Sequence, residues 1–564
     1  MPRFLRLLFV VPLLVVELLL AVAVTGGCAL LFDMRLNVPL EKGETFTLPE
    51  RRPFGDRGWI TEHGRLSVTD HGLWEAYVEG PDLERGLTVG VLAKELIEKQ
   101  ETLFVDRIKM LVPDARKLGW LKHFVNFFNR DIEDHVSLEY RREIYGESRS
   151  FSPAFEVIGS GYERALNYHA AHDIGHALQD LAFVGCTSFA AWGERTADGG
   201  LLIGRNFDFY LGEEFACDKV LLFMRPEKGF PFVEVTWGGM LGAVSGMNLE
   251  GLTVTINASR SAFPNGAHTP ISLLAREILQ YATTINEAVA IAQRRDVFVS
   301  ESILVGSAKD GRAAVIEKAP DGMGVFDPGN GLVVCANHYQ SDTFRDSEVN
   351  KANIRDSDSM SRFKRMTDLT STGDPMTPID AVRVLRERTG PGGASVGLGN
   401  PIAIDQLIAH HSVVFQPAQR RMWISVGPYT LGEYLAYDLR TIFAHGGPER
   451  LPDPLYDPLA TLPADTLLKS PVMGDFTWHR AMRAALTEHR ITGRTYALAS
   501  EDEARYIATD PDNALTYSDL AEWYQAEGDH AKAVHYFDQA LARTVSSAGE
   551  RSKLQAARNA CARN

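Results

Sequence analysis

The texture of the sequence changes at Cys186, and that change limits which folds the chain can adopt. After this residue, short apolar runs such as KVLLFMRP, PFVEVTWGG and GLVVCANH alternate with glycine, aspartate and proline turns, a pattern typical of β-strands. Before it, apolar residues from Leu92 to Leu111 recur with the spacing of one helical face, after a short strand from Leu73 to Val78. Helices return among the later strands, at 271–281, 285–294 and 380–388. This order predicts an α+β protein with two stacked sheets flanked by helices.

The bulk properties exclude one class of function. The chain has 564 residues and a net charge of −15, from 58 basic and 73 acidic side chains. Because binding to nucleic-acid phosphates needs a positive surface, no role with nucleic acid is expected. The sequence also has neither a phosphate-binding loop nor a dinucleotide fingerprint, and no cofactor is expected.

The N-terminus has the pattern of an export signal. Two arginines, at positions 3 and 6, precede an apolar run from Leu7 to Val24, and a GGC triplet ends at Cys28. The signal is either a lipoprotein signal that anchors the chain at Cys28, a plain signal peptide, or an uncleaved membrane anchor. Each alternative places the rest of the chain outside the cytoplasm, in the periplasm or the cell envelope.

The five cysteines have neither the spacing of a zinc site nor that of a dense disulfide framework. Cys186 follows a glycine and precedes two hydroxyl residues, a setting that a structural cysteine does not need. A disulfide bond between Cys217 and Cys335 is possible, and the sequence does not determine whether it forms. Cys186 is therefore the candidate nucleophile.

A set of separated motifs carries a family resemblance over about residues 73 to 427. In chain order the motifs are GPDLERGLTVG, GCTS at Cys186, RNFD, GMNLEGLTVTINA, CANHYQ, DSMSRFKRM and HSVVFQPAQRRMWISVG. Together they resemble the N-terminal-nucleophile cysteine hydrolases. That superfamily includes choloylglycine (bile-salt) hydrolase, acid ceramidase, N-acylethanolamine acid amidase and isopenicillin-N acyltransferase.

The resemblance implies a domain organisation. The expected fold is a four-layer αββα sandwich that is preceded by a helical pro-segment. The expected segments are a signal or anchor over 1–30, a mainly helical pro-segment over 31–185, the catalytic domain over 186–448, a linker over 449–499 and a helical tail over 500–564.

The resemblance also implies a reaction, in which a linear N-acyl amide is cleaved through a thioester on Cys186. If the bond between Gly185 and Cys186 is cut, the freed α-amino group, with an ordinary pKa near 8, can take the thiol proton. Glycine at 185 permits the strained backbone that such self-cleavage needs. Water or an amine then resolves the thioester, so hydrolysis and acyl transfer both stay open.

The other implied site residues have separate roles. Arg205 would favour the thiolate by its charge, and Asp208 would orient the α-ammonium. The backbone N–H of Asn257 and the side-chain amide of Asn337 would hold the oxyanion. Arg362 is a weaker candidate, as a residue of the substrate site or of a core network. No metal is expected at this site.

The C-terminal stretch ALTYSDLAEWYQAEGDHAKAVHYFDQALARTVSS resembles a tetratricopeptide repeat. The matching positions are Ala521, Tyr524, Gly528, Ala533, Phe537 and Ala540. A single repeat does not bury its own apolar face. The predicted helix pair therefore either packs on the rest of the chain or binds a protein partner through residues 514–547.

Two other functions remain as alternatives. His169, His172 and His176 share one helical face beside Asp173, a pattern that a metal hydrolase would use. The second alternative is a surface-anchored scaffold that has lost activity and binds a partner through its tail. The complete set of candidate catalytic residues argues against the scaffold.

Overall fold

The computed structural model describes residues 36–111, 123, 125–177, 183–210, 212–260, 267–492 and 496–563. The predicted export signal and Cys28 lie outside these residues. Within them, no helix combines the length and the apolar character that a membrane span requires.

Most of the strands belong to two sheets. Within the described residues, the larger sheet has eleven strands in the order β1-β2-β3-β4-β9-β10-β11-β12-β13-β14-β15. Its strands are β1 Arg52–Pro53, β2 Gly58–Ile60, β3 Gly64–Val68, β4 Trp74–Gly80, β9 Val220–Pro226, β10 Phe232–Thr236, β11 Ser245–Asn248, β12 Leu252–Ala258, β13 Glu301–Ser307, β14 Arg312–Ala319 and β15 Gly322–Phe326. Its neighbouring strands are antiparallel except β4 and β9, which run parallel.

The second sheet contains the residues that follow the candidate nucleophile. Its described strands have the order β16-β6-β7-β17-β18-β19-β20, and β5 pairs with β8 separately. The strands are β5 Phe183–Val184, β6 Thr187–Ala191, β7 Leu202–Phe207, β8 Phe209–Tyr210, β16 Leu332–Cys335, β17 His411–Gln416, β18 Arg421–Ser425, β19 Tyr434–Asp438 and β20 Asp457–Leu462.

Helices lie before, between and after these strands. They are α1 Asp82–Leu92, α2 Lys94–Leu111, α3 Leu138–Ser148, α4 Gly161–Ala177, α5 Ile271–Tyr281, α6 Ile285–Gln293, α7 Glu348–Asp356, α8 Ser359–Ser371, α9 Pro378–Leu385, α10 Leu439–Ile442, α11 Pro471–Thr492, α12 Ser500–Thr509, α13 Ala514–Ala526, α14 His530–Leu541 and α15 Ala548–Cys561. The helices predicted near 271–281, 285–294 and 380–388 are confirmed, with ends shifted by at most a few residues.

Three buried clusters hold the sheets and helices together. One contains side chains from both sheets, among them Phe223 of β9 and Val413 of β17. A second joins the larger sheet to α1, α3 and α5. A third joins the smaller sheet to α8 and α9, through residues such as Leu385. The second cluster also includes Phe207 of β7, so the smaller sheet contributes side chains to all three clusters and the larger sheet to two of them.

The segment 31–185 is less helical than predicted, because its first part belongs to the larger sheet. Four strands precede α1, and β4 pairs directly with β9 of the predicted catalytic domain. Strand β3 could not be predicted from the sequence, because Arg65 interrupts the apolar pattern that indicates a strand. The buried guanidinium of Arg65 stacks on Phe54 and donates to the carbonyl of Pro452 at 2.8 Å. Because this buried side chain is charged, the pattern of apolar residues does not indicate the strand.

The prediction of a linker over 449–499 is wrong for two stretches. Strand β20 extends the smaller sheet, and α11 starts at Pro471. The prolines that indicated a linker occupy positions that regular structure tolerates. Pro458 lies in an edge strand, and Pro471 in the first turn of a helix.

The predicted helix pair of the tail is present as α13 and α14, and residues next to it contact the sheet-rich part of the chain. Asn400 donates from Nδ2 to Oδ1 of Asn513 at 3.2 Å, and Asp510 accepts from the backbone of Leu398 at 3.2 Å. Ser547, before α15, donates to the carbonyl of Asp356 at 2.9 Å. These polar contacts lie before and after the two helices, whereas the apolar side chains of the pair lie in one buried cluster with residues of α11, α12 and α15, such as Leu486, Tyr506 and Leu554. The identity of the pair as a tetratricopeptide repeat stays a prediction.

Candidate active site

Cys186 lies directly before β6, and only 1% of its surface is exposed. The antiparallel register of β6 and β7 pairs Ser188 with Arg205, which brings the arginine beside the cysteine. Arg205 donates from Nη2 to the Cys186 sulfur at 3.7 Å. The hairpin between β6 and β7 therefore brings the candidate nucleophile and its predicted cationic partner together.

Backbone carbonyls and a stacked ring hold Arg205 in place. Its guanidinium donates to the carbonyl of Val244 at 3.1 Å and to that of Ile256. It also stacks on the ring of Phe207, 4.2 Å from the ring centroid. The side chain is fully buried, and burial lowers its pKa. These contacts point the positive charge at the sulfur without a direct carboxylate partner for Arg205 in the described contacts.

The electrostatics of Cys186 differ from the sequence-based expectation. Burial raises the pKa of its thiol to about 11, although the charge of Arg205 acts to lower it. In the uncut chain the cost of burying a thiolate therefore outweighs the attraction of the guanidinium. Arg205 therefore acts in the expected direction, toward the thiolate, but in the uncut chain the effect of burial on the pKa is larger. Its role in catalysis stays a prediction.

Asp208 is buried beside the same peptide bond. Its backbone carbonyl accepts from the N–H of Gly185 at 3.0 Å, and its Oδ2 accepts from Gln406 Nε2 at 3.2 Å. Its Oδ1 is buried and has no hydrogen-bond partner among the described residues. Burial raises the pKa of Asp208 well above its usual value, against the charges of Arg362 and Arg205. A buried carboxylate oxygen without a partner is costly, and it marks a place where a donor is expected.

Two side chains donate to the carbonyl oxygen of Gly185. Arg362 Nη1 and Gln406 Nε2 each lie 2.8 Å from this oxygen. A Cβ at position 185 would come within 2.4 Å of Gln406 Nε2. The φ angle of Gly185 lies outside the left-handed region, so backbone strain is not the reason for glycine here. The reason is the close approach of Gln406.

Arg362, a weak candidate from the sequence, contacts several parts of the site. It lies on α8 and is fully buried. Besides Gly185 it donates to the carbonyl of Cys186 at 2.8 Å and to Oγ1 of Thr187 at 2.7 Å. Its Nη2 donates to Oδ1 of Asn337 at 2.9 Å. Arg362 therefore connects the candidate nucleophile to the candidate oxyanion donor.

The two asparagines join β12 to the end of β16. Asn257 Nδ2 donates to the carbonyls of Cys335 and Ala336, at 3.1 and 3.2 Å. Asn337, half-buried, donates from Nδ2 to the carbonyl of Ala258 at 2.9 Å. The side chain of Asn257 thus positions the segment that carries Asn337. The oxyanion roles of both residues stay predictions.

Sequence reasoning missed Gln406 and a pair of buried histidines. Gln406 lies in a loop with no recognisable motif. His411 Nε2 lies 2.8 Å from Ser245 Oγ and 3.3 Å from Arg205 Nη1, and His410 Nδ1 lies 2.8 Å from His411 Nδ1. Burial lowers the pKa of both imidazoles well below the usual value, so they stay neutral behind Arg205.

Of the three histidines on the predicted helical face, the structure describes the side chain of His169 alone. His169 uses Nδ1 toward the carbonyl of Ala165 at 2.8 Å and accepts from the backbone of Leu241 at Nε2, 2.9 Å away. The side chains of His172 and His176 lie outside those described. Among the described side chains, no group of three residues has an arrangement that would hold a metal ion.

The described cysteines are free thiols. Cys217 is exposed, whereas Cys186, Cys335 and Cys561 are buried. The bridge between Cys217 and Cys335 that the sequence left open does not form in this structure.

A family model supports the resemblance. The model of the acyl-coenzyme A:6-aminopenicillanic acid acyl-transferase family matches residues 195–429. The matched stretch is 235 of the 564 residues. The matched stretch begins after Cys186, and it contains Arg205, Asp208, Asn257, Asn337, Arg362 and Gln406.

Related proteins match half of the chain or less. An uncharacterised protein of Archaeoglobus fulgidus is 26% identical over 324 residues, which are 50% of this chain and 52% of the relative. The N-acylethanolamine-hydrolyzing acid amidase of Caenorhabditis elegans is 24% identical over 224 residues, 38% of this chain and 59% of the relative. The chain thus spans about half the length of the curated relatives it matches.

A solved structure of the Caenorhabditis elegans N-acylethanolamine-hydrolyzing acid amidase ortholog also matches. It is 18% identical, with a TM-score of 0.30, and the match covers 41% of this chain and 93% of that one.

Proposed function

We propose that this protein is a cysteine amidohydrolase or acyltransferase that cuts its own Gly185–Cys186 bond and then acts on a linear N-acyl amide through a thioester on Cys186. The observation that carries the proposal is the buried Oδ1 of Asp208, which lacks a hydrogen-bond partner among the described residues. Cleavage before Cys186 creates an α-ammonium group in this neighbourhood, and that group would satisfy the carboxylate.

The proposed fold is the four-layer αββα sandwich. The apolar cluster shared by the two sheets supports its inner layers. The clusters that join each sheet to helices support its outer layers. In this arrangement Cys186 lies directly before β6 of one sheet, and Asn257 lies on β12 of the other, where its Oδ1 accepts from Ser188 Oγ at 3.2 Å.

Turnover in the cut chain would use the α-amine of Cys186 as its base. The amine takes the thiol proton, and the sulfur attacks the amide carbonyl of the substrate. Asp208 orients the resulting ammonium, which then gives its proton to the departing amine. The N–H of Asn257 and the amide of Asn337 hold the oxyanion, and one such donor is worth about 3 kcal/mol. Water, or a second amine, then releases the acyl group from sulfur.

A group of aromatic side chains that begins at Phe207, the ring on which Arg205 stacks, supports an apolar acyl group in the substrate. Phe207 and Phe209 stack with ring centroids 5.7 Å apart, and Phe215 and Trp237 lie against them. Phe207, Phe209, Phe215 and Cys186 belong to the same buried cluster. The name of the amidase relative, which acts on N-acylethanolamines, agrees with a substrate of this class.

We propose export as the route of the protein, with the rest of the chain placed in the periplasm or the cell envelope. The apolar N-terminal run supports this placement. We also propose that a protein partner binds residues 514–547. Its binding surface would be the part of the helix pair that the contacts with Asn400 and Leu398 leave uncovered.

The covalent intermediate gives a direct test of the reaction. When the protein is mixed with an N-acyl amide and quenched in acid, we expect the acyl group on the fragment that begins with Cys186, because acid preserves thioesters. Mass analysis of the peptide that contains Cys186 measures it. A metal hydrolase would instead lose activity with a chelator, regain it with zinc and form no acyl adduct.

A further inference from the structure

We infer that Gln406 is an oxyanion donor for the self-cleavage of the chain and that it has no such role in substrate turnover. The inference rests on the proposed function, since it concerns the cut between Gly185 and Cys186. It separates two reactions that share one nucleophile.

The geometry places two donors on the oxygen that self-cleavage would charge. Gln406 Nε2 and Arg362 Nη1 both lie 2.8 Å from the carbonyl oxygen of Gly185. Gln406 is 4% exposed and Arg362 is fully buried, so little water competes for that oxygen. Donors at this distance, aimed at the atom where negative charge develops, are the arrangement that stabilises a tetrahedral intermediate.

The chemical step requires this charge on oxygen. The Cys186 sulfur attacks the carbonyl carbon of Gly185, and the carbonyl electrons move to the oxygen. The C–N bond then breaks, and the nitrogen of Cys186 takes up the thiol proton and becomes a free amine. Water hydrolyses the thioester, which gives a carboxylate on Gly185 and returns the thiol to Cys186. The balance needs only water as a co-reactant.

The loop around Gln406 is fixed rigidly enough to hold a donor. Leu407 adopts a φ of 51°, a left-handed conformation that costs free energy for a residue with a side chain. It is fully buried, and Arg480 donates to its carbonyl at 2.9 Å. On the other side, Arg388 holds the carboxylate of Asp405 at 2.9 Å. Anchors on both neighbours restrict the position of Gln406.

The contacts of Gln406 distinguish it from Arg362. Arg362 also binds Cys186, Thr187 and Asn337, which stay together after the cut. In the part of the chain that the structure describes, Gln406 Nε2 donates to Gly185 and to Oδ2 of Asp208. Cleavage places Gly185 on the other fragment and ends its role as a reacting carbonyl. The donation from Gln406 to a reacting oxygen therefore ends with maturation.

Gly185 provides a second way to disturb the same contact. An added Cβ would come within 2.4 Å of Nε2 and 2.9 Å of Oε1 of Gln406. Gly185→Ala therefore displaces the amide from the carbonyl while the glutamine stays in the sequence. Two independent substitutions then remove one hydrogen bond.

The test compares the cleavage rate and the turnover rate of Gln406→Met in the full chain. Methionine keeps the length of the side chain and removes the donor. We expect cleavage, followed by intact mass on freshly synthesised protein, to slow by about 10²-fold, the typical cost of one lost oxyanion donor. The fold-loss of turnover per cleaved chain should be at least thirty times smaller than the fold-loss of the cleavage rate. Gly185→Ala should slow cleavage in the same direction.

Gln340→Met is the matched control, since Gln340 Nε2 also donates to a backbone carbonyl, that of Val334, at 2.8 Å. It should cleave at the wild-type rate. If Gln406→Met does not fold, as judged by thermal unfolding, Gln406→Glu and Gly185→Ala decide the question.

The outcomes separate the inference from the function on which it rests. If the wild type cleaves and the folded Gln406 and Gly185 variants cleave at the same rate, the inference is overturned and the proposed function is left intact. Equal losses of cleavage and turnover also overturn it. A wild-type chain that never cleaves, yet is active, overturns the proposed function itself.

Discussion

Cys186→Ala is expected to abolish both chain cleavage and amide turnover, because both reactions use its sulfur as the nucleophile. Cys186→Ser should retain slow forms of both reactions, since an alcohol is far less acidic than a thiol. Intact mass measures the cleavage, and the release of amine from an N-acyl amide measures the turnover.

Cys335→Ala is the matched control for this loss. Cys335 is also fully buried, and burial also raises the pKa of its thiol. The side chain has no contact with the Gly185 carbonyl among the described hydrogen bonds. The control should cleave and turn over at rates near those of the wild type, as should Cys217→Ala. Full turnover in Cys186→Ala would remove Cys186 from the mechanism.

Asn337→Ala is expected to lower turnover by two to three orders of magnitude, about the cost of one lost oxyanion donor. Part of the loss would come through Arg362, which donates to Oδ1 of Asn337. Asn337→Asp separates the two effects, because it keeps the acceptor for Arg362 and removes the donor. We therefore expect kcat to fall in both variants. Both variants also lose the hydrogen bond from Nδ2 to the carbonyl of Ala258, so kcat is compared on folded protein, as judged by thermal unfolding.

Asn350→Ala serves as a structural control for the same region. The buried Asn350 donates to the carbonyls of Tyr339 and Arg345, at 3.0 and 3.2 Å. Its loss should destabilise the fold and leave the turnover of the folded protein close to normal. A turnover near the wild-type rate in Asn337→Ala would take Asn337 out of the oxyanion site.

The residues that sequence reasoning grouped by motif lie around one peptide bond. Cys186, Arg205 and Asp208 come from one hairpin and its end, where local strand pairing brings them together. Short-range geometry of this kind can be predicted, since the motif fixes both the residue types and their spacing. The hairpin between Cys186 and Arg205 contains a short 3-10 turn at Gly193–Arg195.

The parts that the sequence did not reveal depend on long-range contacts. Gln406 reaches Gly185 across 221 residues of sequence, from a loop whose apolar and polar residues have no period. The strands before α1 contain a buried arginine where a strand pattern calls for an apolar side chain. In both cases the deciding interaction pairs a polar side chain with a distant backbone carbonyl. No local periodicity records such a pairing.

The ionisation of Cys186 is a different kind of discrepancy. The sequence places a cation beside the thiol, but its effect on the pKa depends on burial, which only the fold determines. In the uncut chain the thiol is enclosed and its pKa is raised to about 11. Cleavage would separate the Gly185 carbonyl from Cys186 and create an α-amine on Cys186. These two changes would alter both the burial of the sulfur and the charge around it.

The central claim, that Cys186 becomes the N-terminus of the working enzyme, is tested most directly by N-terminal sequencing and intact mass of the active protein. We predict two fragments, one ending at Gly185 and one beginning Cys-Thr-Ser-Phe. They should co-purify, because β4 of the first fragment pairs along its length with β9 of the second. A fully active chain that is uncut between Gly185 and Cys186 would contradict the account, and another base would then have to activate the thiol.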